Sequence, residues 1–386
     1  MRILFLTPTL PWPLLSGGQI RAYHLLQALK RNHRVTLVSY IRQDNERQYL
    51  DELAKIYDEI HLIKRQYKPW TLQALGKTLF STQPLIMNLY KTKELRADYF
   101  LGIDAIYCEC FYLMDKIPEL SLPIFLSEQN IEYLAYKRYR DNLPFWQKII
   151  LWLLMQIDLF KMEIWEKRMW RKATKIAVMS AADKKNIEKE TGRGDVEIIP
   201  NGVDTGSFKM LRERALGIKN VLFIGNFSWF QNLQAVEWLV KEIFPQIKKR
   251  VPETKLLIVG QNPPAWLKRL EKKDILIDET VKDIKEAYQK AAVLLAPLKS
   301  GGGTKYKILE AMASGVPVVT TPIGQEGFDQ DSLIVRNSTD ELAKATIDLM
   351  NHPEIYEEMV KRARKLVEEN YDWQIIAEKL GNFLKS

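Results

Sequence analysis

A chain of 386 residues, 46% of them hydrophobic, is too long for one ordinary domain and carries enough apolar side chains for two buried cores. Its net charge of +9 leaves three kinds of binding partner: nucleic acid, an anionic membrane surface or a phosphorylated small molecule. The charge is scattered, and no RNP, zinc-finger or helix-turn-helix signature accompanies it, so we expect no nucleic-acid partner.

The cysteine and histidine content excludes further classes. Two cysteines, Cys108 and Cys110, cannot form a disulfide framework, and a reducing compartment fits them best. The four histidines show no HxH or HExxH spacing, so we expect no metal site. The first residues predict a strand rather than a signal peptide, and the apolar stretch 149–157 is shorter than the ~20 residues that span a bilayer. We therefore expect a cytoplasmic location, with peripheral attachment to the inner face of the cell membrane as the alternative.

Short apolar runs alternate with amphipathic stretches over the first half of the chain. The first predicted helix covers residues 20–30, where apolar side chains recur every three positions. This alternation is typical of the α/β class, a parallel sheet covered by helices on both faces. The predicted strands are residues 3–6, 35–39, 60–63, 105–107, 124–127, 176–179 and 196–199.

The same pattern then starts again, which predicts two domains. The first would cover residues 1–204 and the second 220–371, joined by a linker at 205–219 that contains no apolar run. The second set of predicted strands is 221–224, 256–259, 275–277, 293–296, 316–320 and 333–335, with helices at 233–249, 282–290, 306–314 and 340–350.

Residues 143–172 combine four tryptophans with basic and long aliphatic side chains. One interpretation is an amphipathic helix that lies in an anionic membrane interface. The other is a long helix packed against a cleft between the two domains, because tryptophan and arginine are common at both kinds of surface. The sequence does not decide between these alternatives.

Ligands of parallel sheets bind beyond the carboxyl ends of the strands, so the loops after strands are the candidate sites. Gly17 and Gly18 lie in the loop after the first strand, directly before a helix. Paired glycines let the backbone approach a ligand, and the helix N-terminus offers N–H groups to an anion. A simple turn explains the same pattern equally well.

A stronger candidate follows the strand 293–296. Gly301, Gly302 and Gly303 precede Thr304, which we expect to cap the next helix, and then Lys305 and Lys307. Positive charges at a helix N-terminus disfavour the helix unless an anion binds there. A diphosphate would supply that anion, although the loop is not a Walker A sequence.

Glu310 lies between apolar neighbours in the same helix, so its carboxylate needs a partner. An ion pair with Lys307, three residues earlier, is one possibility. The other is that Glu310 accepts hydrogen bonds from paired ribose hydroxyls, as acidic residues do in dinucleotide sites. Asn201 and Gly202 form a turn signal ahead of the linker, and a turn alone explains them.

Taken together, these pieces resemble the family 4 retaining glycosyltransferases of the GT-B fold, over nearly the whole chain. The matching segments are the Gly17–Gly18 loop, residues 178–183, 199–204, 223–226, 257–260 and 307–319. The resemblance implies two Rossmann-like parallel-sheet domains that face each other across a cleft, an N-terminal acceptor domain, a C-terminal donor domain, and a final helix (372–386) that returns to the first domain.

The sequence departs from the family pattern at four positions. The first of two glutamates spaced eight apart is Gly302 here, although Glu310 fits the second. In the family an arginine and a lysine hold the diphosphate. The matching positions here are Asn226, which follows Gly225, and Gln231. Gln129 stands where the family has a histidine, and a glutamine hydrogen-bonds a sugar but does not titrate.

The resemblance implies transfer of a sugar from a nucleoside-diphosphate sugar, UDP- or GDP-linked, to a glycan or lipid-linked hydroxyl, with retention and no tightly bound cofactor or essential metal. Lys307 and Gln129 are the expected catalytic residues, and Gly17, Gly18 and Arg21 the expected acceptor or diphosphate loop. The expected donor-binding residues are Gly225, Asn226, Gly301, Gly302, Gly303, Thr304, Lys305, Lys307 and Glu310. The alternatives are a catalytically silent sugar-nucleotide-binding protein and a GT-B-type sugar-nucleotide epimerase.

Overall fold

The structure is a computed structural model, and it describes residues 1–65, 71, 76, 78–92, 95–143, 145–210, 219–280, 283–328 and 330–385. Contacts divide the chain into two compact units. Unit 1 comprises Met1–Ile199 and Ala377–Ser386, and unit 2 comprises Pro200–Ile376. The predicted linker lies inside unit 2, and most of it is outside the described residues.

Unit 1 is built on a seven-stranded sheet in the order β3-β2-β1-β4-β5-β6-β7, and every adjacent pair is parallel. The central strands are mainly apolar and are buried along almost their whole length, as expected for a parallel sheet with helices on both faces. The strands are β1 Arg2–Thr7, β2 Arg34–Ile41, β3 Glu59–Lys64, β4 Ala105–Glu109, β5 Ile124–Glu128, β6 Lys175–Val178 and β7 Val196–Ile198.

The helices of unit 1 include one that is much longer than the rest, Phe145–Lys172. Its inner face joins the core through Leu159, Met162 and Trp170, all at most 6% exposed. The other α-helices of this unit include Gly17–Lys30, Leu50–Ala54, Leu85–Leu89, Phe111–Met114, Glu132–Asp141 and Ala181–Thr191.

Unit 2 is built on a six-stranded sheet in the order β10-β9-β8-β11-β12-β13, again with parallel neighbours. The centre of each sheet follows the doubly wound order in which the chain reverses direction beside the first strand. The strands are β8 Asn220–Ile224, β9 Lys255–Val259, β10 Ile275–Asp278, β11 Val293–Ala296, β12 Val318–Thr320 and β13 Ile334–Val335.

The helices of unit 2 differ from the predicted ones in two main respects: the helix Pro353–Asn370 was not predicted, and one predicted helix is interrupted. The predicted helix 233–249 consists of Phe230–Trp238 and Phe244–Arg250, joined by a π-helical turn at Leu239–Ile243. The remaining helices are Ala265–Lys268, Ile284–Gln289, Tyr306–Ala313, Pro322–Gln325, Thr339–Asn351 and Pro353–Asn370, and Trp373–Lys385 ends in unit 1.

Two α/β units with parallel sheets are therefore what the sequence predicts. Most predicted strand limits agree with the observed ones within one or two residues, because buried parallel strands are continuous apolar runs that stand out in the sequence. Among the described residues, none of the helices has the length and apolar character needed to cross a membrane.

Candidate functional site: the glycine loop of unit 2

The glycine loop connects β11 to the helix Tyr306–Ala313. Gly301 and Gly303 adopt φ angles of +116° and +61°, which a residue with a Cβ rarely adopts. This geometry explains why the loop needs glycines independently of any ligand. It also keeps side chains off the loop, where a backbone N–H can meet an anion.

Thr304 does not cap the helix, so that prediction is wrong. The N-cap residue is Lys305, in an extended conformation and without a side-chain capping bond. The Thr304 hydroxyl instead accepts a 3.1 Å hydrogen bond from the Asn201 backbone N–H. Asn201 Nδ2 donates to the Thr304 carbonyl at 3.0 Å, and Tyr306 Oη donates to Asn201 Oδ1 at 3.2 Å. The turn after Pro200 thus fixes the end of the glycine loop as well as turning the chain.

Lys307 lies in the first turn of that helix, and its side chain is half-buried. Its ammonium donates a 2.7 Å hydrogen bond to Asn232 Oδ1 and lies 4.8 Å from the centre of the Phe223 ring. Burial, helped by the positive charge of Lys305, lowers the Lys307 pKa to about 7. A lysine held in this way gains its full charge when an anion arrives.

Glu310 is half-buried one turn further along the helix. Its Oε2 accepts a 2.7 Å hydrogen bond from Tyr288 Oη, which also lies 3.1 Å from the Lys307 carbonyl oxygen. Burial raises the Glu310 pKa to about 7, although Tyr288 and Lys307 both favour the ionised form. In the part of the chain that the structure describes, Lys307 forms no ion pair with Glu310, because its ammonium bonds to Asn232.

The loops after β8 and β9 pack closely beside Lys307. A Cβ on Gly225 would lie 2.8 Å from Asn232 Cγ, and one on Gly260 would lie 1.8 Å from the Gly225 carbonyl oxygen. Asn232 Nδ2 donates to the Asn226 carbonyl at 2.8 Å. Asn232 therefore connects the loop after β8 to Lys307, and this contact brings Gly225 and Asn226 to the helix that carries Lys307 and Glu310.

Lys305 bonds through its ammonium to the carbonyl oxygen of Gly303. The structure thus assembles Lys307, Gly225 and Asn226 around Asn232, and places Glu310 on Tyr288. Asn232 and Tyr288 were not predicted. Asn232 is a polar residue in an otherwise amphipathic helix, and Tyr288 is a tyrosine in a buried position, and neither pattern by itself indicates a binding site.

Candidate functional site: the loops of unit 1

Gln129 directly follows β5, and Gly18 lies in the first turn of the helix Gly17–Lys30. A Cβ on Gly18 would lie 3.4 Å from Gln129 Oε1. The two predicted residues are therefore neighbours. Ser16 occupies the N-cap position of this helix without a side-chain capping bond.

Glu109, at the end of β4, was not predicted as a site residue. Its carboxylate accepts hydrogen bonds from Thr7 Oγ1 at 2.8 Å and from Gln129 Nε2 at 3.4 Å. Complete burial raises the Glu109 pKa to about 7, although Arg21 and these two donors lower it. Its position at the carboxyl end of a central strand is the sequence signal that would have identified it.

Arg21 lies in the interior, at 1% exposure, rather than on the surface of the loop. Its guanidinium donates to the Ile199 carbonyl at 2.9 Å and lies 3.4 Å from Ser127 Oγ. These contacts tie the helix Gly17–Lys30 to the ends of two strands. Arg21 thus holds in place the helix whose first turn contains Gly17 and Gly18.

A second buried glutamate, Glu128, ends β5. It accepts a 3.0 Å hydrogen bond from Trp170 Nε1 and one from the backbone N–H of Phe111 at 3.3 Å. Burial raises its pKa to about 8. The neighbouring thiols of Cys108 and Cys110 are free and buried, and burial raises the pKa of both well above the ordinary thiol value. Both cysteines are therefore held as unreactive thiols.

Comparison with known proteins

Residues 218–352, which contain the glycine loop, Lys307 and Glu310, match the family model described as glycosyl transferases group 1. This segment is thus similar to the group 1 glycosyltransferases, and the two parallel-sheet units have the GT-B fold. The match supports the glycosyltransferase resemblance suspected from the sequence motifs at the level of group 1, and the prediction of two Rossmann-like parallel-sheet domains is confirmed.

Individual relatives match more distantly. The chain is 28% identical over 165 residues to an uncharacterized 44.6 kDa protein in the cps region of Klebsiella pneumoniae, covering 40% of this chain and 42% of that protein. It is 28% identical over 217 residues to a GDP-mannose-dependent monoacylated alpha-(1-6)-phosphatidylinositol monomannoside mannosyltransferase of Corynebacterium glutamicum, covering 49% and 56%. The chain thus spans about half the length of these curated relatives.

A solved structure extends the likeness over the whole chain. Alr3699/HepE from Anabaena, in complex with UDP, superposes with a TM-score of 0.67 over 100% of both chains at 14% identity. At that level of identity the likeness is one of fold.

Proposed function

We propose that the protein transfers a sugar from a nucleoside-diphosphate sugar to a hydroxyl acceptor, with retention and without an essential metal, in the synthesis of a glycan, polysaccharide or glycolipid. In the reaction the bond between the anomeric carbon and the diphosphate oxygen breaks, and a new bond to the acceptor oxygen forms. The proton of the acceptor hydroxyl passes to the departing diphosphate oxygen, and the nucleoside diphosphate leaves.

The observation that carries the proposal is the setting of Lys307. A half-buried lysine whose pKa is lowered to about 7 lies in the first turn of a helix that follows a glycine loop. Keeping the Lys307 ammonium charged costs free energy because the group is buried and lies at the positive end of a helix dipole. A bound anion would remove this cost. The diphosphate of a sugar nucleotide has the charge and size for this position, and the family match of the same segment supports that choice.

The same groups account for catalysis. The leaving diphosphate gains negative charge as the glycosidic bond breaks, and the loop N–H groups, Lys305 and Lys307 stabilise this charge in the transition state. Stabilisation by fixed donors and ammonium groups needs no metal ion. Lys307 is held in place by Asn232, and burial has removed much of the water around its ammonium group, so its charge acts strongly on the leaving diphosphate.

Glu310 is the proposed partner of the ribose. Tyr288 occupies one of its oxygens and fixes the orientation of the carboxyl group. Two ribose hydroxyls donating to this carboxylate would stabilise its ionised form and lower its raised pKa. The Anabaena structure contains UDP and the Corynebacterium relative is named for GDP-mannose, so UDP and GDP are the proposed bases.

Unit 1 supplies the proposed acceptor side. Gly18 lies against Gln129, and Gln129 offers an amide oxygen to a hydroxyl-bearing ligand at the loop that Gly17 and Gly18 form. Glu109, which accepts a hydrogen bond from Thr7, also accepts one from Gln129 and so fixes its side chain. Arg21 fixes the helix that follows the loop by bonding to the Ile199 carbonyl. A glycan or lipid-linked hydroxyl compound is the proposed acceptor class.

A catalytically silent sugar-nucleotide-binding protein is the second candidate. Gly302, Asn226 and Gln231 stand where related enzymes carry charged residues, and this observation favours it. The test is to incubate the purified protein with UDP- and GDP-sugars and to follow release of the nucleoside diphosphate and of free or transferred sugar. Release supports the transferase, binding without turnover supports the silent protein, and conversion to an epimeric sugar nucleotide identifies an epimerase.

A further inference from the structure

We propose that the outer face of the helix Phe145–Lys172 docks unit 1 on an anionic lipid surface. This inference concerns a surface apart from the proposed transfer site and does not depend on the transfer reaction. It rests on an apolar stripe that the fold leaves exposed and on the basic residues that continue it.

The stripe consists of Leu153, Ile157, Phe160 and Ile164, which are 64%, 40%, 63% and 49% exposed. Their spacing of four, three and four residues places them on one side of the helix. The helix buries its opposite side in the core of unit 1, as described above, so the stripe is a second apolar face and not an edge of the core. Contiguous exposed apolar surface of this kind marks a binding surface.

The same side of the helix becomes basic toward its C-terminal end. Arg168 and Arg171 follow Ile164 at four and seven residues, and both are exposed. The Arg168 guanidinium lies 5.0 Å from the centre of the Trp165 ring, which holds it near the stripe. Apolar residues that insert between acyl chains, followed by arginines at headgroup level, are typical of helices that lie in a membrane interface.

A second exposed segment lies beside this helix. Lys161 donates 2.7 Å hydrogen bonds to the carbonyls of Thr78 and Ser81. Between them are Leu79, 50% exposed, and Phe80, 94% exposed. Two more large apolar side chains thus reach solvent close to the stripe, so the apolar surface is wider than one helix face.

The charges favour a lipid surface over a second copy of the chain. Glu163, next to the stripe, is 2.7 Å from Lys167, which also pairs with Glu190 at 2.6 Å, so the one lysine offsets half of the acidic charge of these two glutamates. Two chains that each carry a net charge of +9 repel one another, whereas anionic headgroups attract the same surface.

The test is sedimentation of the full chain with phosphatidylcholine vesicles, with and without phosphatidylglycerol. We expect the wild-type protein to bind the anionic vesicles, and Phe160→Glu and Ile157→Glu each to reduce binding about tenfold or more, since a charge replaces inserted apolar surface. Ile355→Glu is the matched control, because Ile355 is 43% exposed, much as Ile157 is, but lies in unit 2. This control should bind as the wild type does.

Three results would overturn the proposal. They are the absence of wild-type binding to anionic vesicles, equal binding by Phe160→Glu and the wild type, and light scattering that shows a dimer dissociated by Phe160→Glu. Melting temperature and nucleotide binding of each variant distinguish a loss of lipid binding from unfolding or from a failure of the proposed transferase site.

Discussion

Lys307 Nζ donates a 2.7 Å hydrogen bond to Asn232 Oδ1 across a separation of 75 residues. Asn232 in turn donates to the Asn226 carbonyl, so one asparagine aligns the ammonium and fixes the loop after β8. A lysine held by a neutral amide keeps its capacity to bind an anion, whereas an ion pair would use up its charge. The contact is thus compatible with a diphosphate site and explains why no acidic partner is needed.

The first prediction concerns the pH dependence of nucleotide affinity. The free protein holds Lys307 with a pKa of about 7, and a bound diphosphate raises that value. Below pH 7 the ammonium is already charged, so the Lys307 contribution to affinity is complete. Above pH 7 the ammonium must take up a proton on binding, so this contribution falls as pH rises. Calorimetry in buffers of different ionisation enthalpy should detect proton uptake at pH 8 that Lys307→Met abolishes. Uptake that persists in the variant would assign the proton to another group.

The second prediction concerns the Tyr288–Glu310 hydrogen bond. Tyr288→Phe removes the donor to Glu310 Oε2 and should weaken nucleotide binding, because the carboxyl group loses its fixed orientation. The loss of one such bond corresponds to about 1–2 kcal/mol, or roughly five- to thirtyfold in Kd. Glu310→Gln should weaken a ribonucleotide more than its 2′,3′-dideoxy analogue. An equal loss for both ligands would contradict the ribose assignment.

The third prediction concerns Gly260. Its φ of +148° and the 1.8 Å separation between an added Cβ and the Gly225 carbonyl oxygen leave no room for a side chain. Gly260→Ala should therefore destabilise unit 2 by about 3 kcal/mol or more and should weaken nucleotide binding with it.

Gly381→Ala is the control for this substitution. Gly381 lies inside the helix Trp373–Lys385, and no atom lies within 4 Å of an added Cβ. Alanine should stabilise that helix by up to about 1 kcal/mol. Thermal unfolding of both variants checks the pair, and an unchanged melting temperature for Gly260→Ala would show that the loop relaxes freely.

The fourth prediction concerns the buried Glu109 carboxyl. Its folded-state pKa of about 7 exceeds the unfolded value, so its contribution to stability is complete below about pH 4.5 and is lost as pH rises through 7. A glutamine does not titrate, so Glu109→Gln should remove this part of the pH dependence of the free energy of unfolding. Between pH 5 and pH 8 the wild type loses stability that the variant keeps, so the variant gains up to about 3 kcal/mol relative to the wild type. Urea unfolding at both pH values measures the difference. If the difference in free energy of unfolding between the variant and the wild type is the same at both pH values, Glu109 does not titrate in this range.

The fold was largely predictable because its strands are buried on both faces and read as uninterrupted apolar runs. The glycine loop was predictable for a local reason, since three glycines, two lysines and a helix follow one strand. The N-cap of the helix Tyr306–Ala313 was not predictable, because Thr304 bonds to Asn201, about a hundred residues away, and Lys305 occupies the N-cap position.

The supporting residues could not be predicted for the same reason. Asn232, Tyr288 and Glu109 act through contacts with residues that are 75, 22 and 102 positions away. No periodicity or local motif records such a contact, because the pattern of a helix or strand reflects only which face is buried. Residue type and position at a strand end reduce the number of candidate site residues, but only the folded structure shows which residue each of them contacts.

The proposed transfer depends most directly on Lys307 as part of a nucleoside-diphosphate site. The measurement is the melting temperature of the wild type, of Lys307→Ala and of Lys290→Ala, an exposed lysine of the same unit, with UDP, GDP, ADP, TDP and CMP. A ligand that binds only the folded protein raises its stability. We expect one nucleoside diphosphate to stabilise the wild type and Lys290→Ala but not Lys307→Ala. Stabilisation by none of these nucleotides, or equal stabilisation of all three proteins, would contradict the assignment.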